Sequence, residues 1–232
     1  MTRLDKLLSD KLNITRSQAK ALIKSGAVTV NGRVVNTSDF KCGEGDSIVA
    51  DGKTLDMREF VYIMMNKPQG VICATEDKGD KTVLDLLPEK MRRKGLFPAG
   101  RLDKDTTGFV LITNDGDFAH RILSPSKHIA KTYVAVLDKP ADDAVIADFE
   151  AGMSLGDEKL LPAKLTVLDG CTVKVEITQG IYHQIKRMFK KHGITVLELK
   201  RTKMGVLELD KNLGYGECRY LTDSEVVKIC QK

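Results

Sequence analysis

From Phe60 onward the chain is a series of short β-forming runs with helical pieces scattered among them. "FVYIMMNKPQG", "GVICAT", "GFVLITND", "KTYVAVL", "AKLTVL", "TVKVEITQ" and "ITVLELK" are rich in β-branched and aromatic residues and bounded by turn residues, so each reads as a strand. Helices are expected near 83–87, 116–123, 142–151 and 182–192, and a last one over 222–232 behind a Thr-Asp-Ser cap. This order lacks the regular strand–helix alternation that builds a parallel sheet. The fold class is therefore α+β, with a largely antiparallel mixed sheet flanked by helices.

The first 57 residues read as a separate small α/β unit. Leu4, Leu7, Leu8 and Leu12 fall on one helical face. "TRSQ" has the form of a capping box, with Thr15 and Gln18 exchanging bonds at a helix start. Ala19, Leu22 and Ile23 give the second helix its apolar stripe, and Gly26 suits its end. "VTVNGRVV" places Asn31-Gly32 between two β-rich pieces, a strong hairpin signal. The matching run Arg3-Leu4-Asp5, Ser17, Ala19, Leu22-Ile23, Gly26, Val28, Val30-Asn31-Gly32 and Gly45-Asp46 resembles the S4-like RNA-binding domain. The resemblance implies a basic RNA-facing surface, for which Arg16, Lys20, Lys24 and Arg33 are the candidates. "DGKTLDMREF" (51–60) is polar and reads as a linker, which divides the chain into domains 1–57 and 58–232.

Several function classes are disfavoured by what the chain contains. None of its apolar runs approaches the ~20 residues of a membrane span. "MTRLDKLLSDKL" is charged throughout and has no signal-peptide core, so a cytoplasmic protein is expected. Five scattered cysteines form no Cys-x-x-Cys pair, and His120, His128, His183 and His192 form no ligand pattern, so neither a disulfide framework nor a metal site is expected. Net charge is only +5, but residues 181–203 alone hold seven bases and one acid, a local +6. Such a segment suits a polyanion; taken alone it also suits a solvated helix face.

Three segments carry the chemistry: "GRLDKDTTG" with Arg101, Asp103 and Asp105; "KTYVAVL" with Lys131 and Tyr133; and "QGIYHQIKRMFKKHG" with Ile185, Lys186 and Arg187. Singly, each has a structural explanation. The first could be a salt-bridged turn before a core strand, Tyr133 a core tyrosine, and Ile185, Met188 and Phe189 ordinary helix contacts. In this order and type they resemble the pseudouridine synthases. "YHQIKRMF" with "NKPQG" resembles the RsuA-type branch, which modifies small-subunit (16S) ribosomal RNA and also carries an S4-like domain. Ile181 departs from the pattern, which usually has a basic or polar residue there.

The resemblance implies isomerisation of a uridine to pseudouridine within RNA, with no cofactor or metal. It makes Asp103 the catalytic carboxylate, Lys186 its basic partner with Arg187 the second choice, Tyr133 the aromatic against the uracil, and Ile185 the apolar floor. Arg101 is expected to hold RNA or orient the site. A carboxylate in such a site acts as nucleophile at C1′ or C6, or stabilises charge at C1′; the residues leave that choice open. A uridine in structured RNA must leave its stack to reach the site. Lys190, Lys191, Lys200, Arg201 and Lys203, with Lys186 and Arg187, are candidates for the flanking phosphates. The partner is then ribosomal RNA, free or in an assembling small subunit, and the protein a monomer. Three alternatives remain: a large-subunit rRNA enzyme of the same family, a non-catalytic ribosome-assembly factor using the S4-like domain, and a metal-dependent nuclease built on Asp103, Asp105, Asp115 and Asp117.

Overall fold

The structure, a computed structural model, describes every residue except Glu44, Asp56, Pro125, Ser126, His128 and Lys232. His128 and the last residue of the expected C-terminal helix therefore lie outside the described residues. The chain divides into two compact units, Met1–Val61 with Pro88–Leu96 and Tyr62–Leu87 with Phe97–Lys232. The 88–96 segment, placed by sequence in the second domain, groups with the first. The Arg93 guanidinium donates to the Arg58 carbonyl at 2.9 Å.

In the first unit the helices Leu4–Leu12 and Arg16–Lys24 pack with a four-stranded sheet ordered Arg33–Val34, Val28–Val30, Ile48–Ala50, Lys53–Thr54. Leu4, Leu8, Ile23, Val28 and Ile48 form its fully buried centre. The Thr15/Gln18 capping box is present in both directions. Asn31 and Gly32 both take positive φ (52° and 77°), as a two-residue hairpin turn requires.

The second unit is built on a nine-stranded sheet. Its main path runs Lys164–Asp169, Thr172–Ile177, Lys131–Leu137, Val196–Met204, Thr107–Thr113, Tyr62–Lys67, Cys218–Tyr220. Among the described strands of this sheet the pairings are antiparallel except one: Lys200 and Arg201 lie parallel to Thr107 and Gly108. There a Cβ on Gly108 would collide with the Arg201 backbone, and its φ of +100° also selects glycine. The helices Gly116–Leu123, Asp143–Ala151, Gln184–Lys191 and Asp223–Ile229 fall where the sequence places them.

Two expected elements are absent. Residues 70–75 make only an isolated bridge, Ile72 with Thr82. Residues 83–87 form turns instead of a helix: the Asp85 carboxylate accepts from the Thr82 amide (2.8 Å) and hydroxyl (3.0 Å), and Pro88 follows before a helix can extend. Among the described residues no helix is long and apolar enough to cross a membrane.

Candidate active site

Asp103 stands on the turn that leads into the Thr107–Thr113 strand, and that turn is fastened from beneath. Lys67 ends the Tyr62–Lys67 strand fully buried, and its ammonium donates to the carbonyls of Thr106 (2.7 Å), Asp103 (3.0 Å), Pro68 (3.1 Å) and Lys104 (3.3 Å). Burial pushes the Lys67 pKa below its ordinary value, while nearby Cys73, Asp105 and Asp103 favour the charged form. One cation thus gathers carbonyls from both sides of the turn, which fixes the direction of the Asp103 side chain.

The carboxylates meet a single ammonium. Lys186 Nζ, from the first helical turn of Gln184–Lys191, lies 3.1 Å from Asp103 Oδ2 and 2.5 Å from Asp105 Oδ1. Partial burial works against the Lys186 charge, but hydrogen bonds to Asp105 and Asp103 outweigh it and raise its pKa. Burial pushes the Asp105 carboxyl up, but the Lys186 bond and charge, with smaller help from a backbone amide and His183, together bring it below its ordinary value. His183 Nε2 lies 3.4 Å from Asp103 Oδ1. His183 holds φ +50° just before the helix, and its ring stacks on Tyr182 at 3.8 Å between centroids.

Below Asp103 is a cleft lined by Arg101, Leu102, Thr106, Tyr133, Ile177, Ile185 and Leu199. Tyr133 and Ile185 are buried, 7% and 3% exposed, so they present a fixed aromatic and apolar surface. Arg101 is exposed at this cleft. The arrangement offers an oriented carboxylate, an adjacent cation and a ring-sized apolar wall.

Other sequence candidates are placed differently. Arg187 turns away from Asp103: its guanidinium meets Glu158 at 2.6 Å and donates to the Leu155 and Tyr182 carbonyls, each at 3.3 Å. Arg201 is no phosphate ligand, because it is 2% exposed and its Nε donates to the Phe109 carbonyl at 2.7 Å. Lys190 and Lys191 are exposed at the far end of their helix. In the first unit Lys20, Lys24 and Arg33 are exposed, whereas Arg16 reaches buried Asp5 at 3.5 Å. Asp115, one of the nuclease candidates, caps a helix by accepting from Phe118 N at 2.9 Å and takes the Tyr62 hydroxyl at 2.6 Å.

Residues 61–191 match the family described as RNA pseudouridylate synthase, and residues 2–48 match the S4 domain. The chain belongs to the RNA pseudouridylate synthase family. It is 46% identical over 231 residues to an RNA pseudouridine synthase of Bacillus subtilis named YtzG, covering 97% of this chain and 96% of that one. It is 42% identical over 230 residues to the ribosomal small subunit pseudouridine synthase A of Escherichia coli, covering 98% and 99%. A crystal structure of a pseudouridylate synthase aligns with 99% of this chain and 100% of its own, at TM-score 0.70 and 40% identity.

Against that family membership, sequence reasoning missed Lys67, His183 and Tyr182. Lys67 had a visible signal, a lysine closing a strand that is apolar up to Asn66, just before Pro68. His183 and Tyr182 had none beyond their place beside Lys186.

Proposed function

We propose that the protein converts a uridine of small-subunit ribosomal RNA to pseudouridine, with Asp103 as the catalytic carboxylate. The observation that carries this is the Asp103–Lys186 contact at 3.1 Å above a cleft walled by Tyr133 and Ile185. The near full-length similarity to a small-subunit enzyme supports the choice of RNA.

In this reading the target uridine leaves its stack and its base enters the cleft against Tyr133 and Ile185. The cost of extrusion, a few kcal/mol, is offset by contacts in the pocket. Asp103, held by Lys186, attacks C1′ or C6 or stabilises positive charge at C1′ while the N1–C1′ bond breaks. The uracil turns, C5 bonds to C1′, the C5 proton departs and N1 gains one, so the step is an isomerisation without a redox change. Arg101, Lys190 and Lys191 hold flanking phosphates, and Lys20, Lys24 and Arg33 extend the contact from the S4 unit. The protein works as a cytoplasmic monomer on free or assembling ribosomal RNA.

The test maps pseudouridines in ribosomal RNA from cells with and without the gene. One small-subunit pseudouridine should vanish and return with the wild-type gene. Loss of a large-subunit site instead would refute the small-subunit assignment.

A further inference from the structure

The central sheet has a second face. Side chains alternate along a strand, so Tyr133 enters the Asp103 cleft while Thr132 and Val134 point the other way. Leu199 and Ile177 likewise line the cleft, and Lys200, Lys174 and Glu176 line the opposite side. A register shift between Thr132 and Tyr133 sets Lys203 directly across from Thr132. That irregularity brings Lys203 onto the same face as Lys200, although the two are an odd number of residues apart.

The result is a cavity of about 420 Å³ on the face away from Asp103. Lys174, Lys200, Lys203 and Lys211 line it. Among the described residues none of these four makes an ion pair with a carboxylate. Two acids at the cavity are engaged: Asp210 pairs with Arg219 at 2.6 Å, and Glu176 takes the Thr132 hydroxyl at 3.4 Å. Glu208 is exposed. Val134 lies directly between Lys174 and Lys200 in the cross-strand row, so these two lysines leave strands about 10 Å apart with an apolar side chain between them.

Two further features point to a ligand. Tyr215 is 62% exposed, and the Lys200 ammonium stands 5.1 Å from its ring centroid. Asn66 lines the cavity and is 4% exposed; its Nδ2 donates to the Leu213 carbonyl, but its Oδ1 is buried without a partner. Buried polar atoms are normally satisfied, so this wall of the cavity carries an acceptor left unpaired by the described residues.

We propose that this cavity is a second RNA site, which takes a single-stranded segment flanking the modified uridine. Phosphates lie on Lys174, Lys200, Lys203 and Lys211, and one base stacks on Tyr215. A groove of cations beside an exposed ring is the means by which proteins hold single strands. The inference rests on the ribosomal RNA reading above. It adds that the enzyme selects its site partly through nucleotides that never approach Asp103.

The test compares two RNAs, a small-subunit rRNA fragment with its flanking single strands and a minimal stem-loop around the modified uridine. Binding is measured by fluorescence anisotropy across a salt series for wild type, K174Q/K211Q and Y215A. On the long RNA, K174Q/K211Q should lower the log K against log salt slope by about 1.4, and Y215A should weaken binding about tenfold. The stem-loop should bind all three proteins equally, and single-turnover rates at saturating RNA should be unchanged. Wild-type affinity and slope in the variants overturn the site. Equal weakening on both RNAs also overturns it, because the lysines then act as diffuse charge. A full effect of the lysines with none from Y215A overturns the stacked base. Failure of the ribosomal RNA reading itself would show separately, as absence of pseudouridine from the wild-type reaction on either RNA.

Discussion

Replacing Lys67 with methionine tests whether the Asp103 turn is held from below. The substitution keeps the apolar stem and removes the ammonium that four carbonyls share. The Thr106 bond is the shortest at 2.7 Å and is buried, so its orphaned carbonyl costs about 1–3 kcal/mol. The Asp103, Lys104 and Pro68 carbonyls are only partly buried; water can replace the ammonium there, so their loss adds about 1 kcal/mol. Burying the lysine charge also costs energy, which the variant recovers in part. The net expectation is a loss of about 2–3 kcal/mol, read as a lower urea midpoint at pH 7. A larger effect is expected on rate. A turn released by about 1 Å misdirects the carboxylate, and such a displacement costs on the order of 100-fold. Single-turnover rates at saturating RNA, under conditions where the variant is folded, should fall by that factor with little change in RNA affinity. A variant within about 0.5 kcal/mol of wild type and equally fast would refute the idea that Lys67 positions Asp103.

Lys186→Met removes the cation shared by Asp103 and Asp105, so single-turnover rates at saturating RNA should fall on the order of 100-fold, whereas Arg187→Met, whose side chain is tied to Glu158, should leave them nearly unchanged; the reverse result would exchange their roles. Lys131 is buried, and burial with Arg201 nearby lowers its pKa to about 8 from 10.5. Below pH 8 both states hold its proton and the cost of burying the charge is full; above it only the unfolded state stays protonated, so stability should rise toward pH 9.5 by up to about 1.4 kcal/mol per unit. Lys131→Met should flatten that rise and stabilise the protein at neutral pH, as followed by denaturant midpoints; an unchanged slope would count against a charged Lys131. Removing residues 1–57 should leave a folded, soluble fragment in which trypsin cuts at Arg92 and Arg93, because the 88–96 segment has lost its unit; an insoluble fragment would contradict independent folding.

The sequence made the second unit's strands legible because their apolar runs are strongly patterned and their helices carry clear caps. Asp115, Asp142 and Thr222 each accept an amide three residues on. Residues 70–75 misled because an apolar run needs a partner strand of matching length, and Ile72 finds one residue. At the site, the residues that touch in space lie far apart in the chain; only their order and type linked Asp103, Tyr133 and Lys186. Buried cations were the least visible feature. Lys67 and Arg201 are written in the same letters as solvated surface residues, and only the carbonyls of Thr106 and Phe109 reveal what they hold. The back-face lysines were read as one basic run with Arg201. A strand register, with its irregularity between Thr132 and Tyr133, decides which of them share a face.

The central claim is that Asp103 performs the chemistry and Asp105 does not. Ribosomal RNA labelled with tritium at uridine C5 releases label to water only when C5 forms its new bond. Wild type and Asp105→Asn should both release it, the latter with a modest change in rate. Asp103→Asn should bind the RNA with near wild-type affinity, unfold at the wild-type urea midpoint and release no label above background. Substantial release by Asp103→Asn would contradict the account.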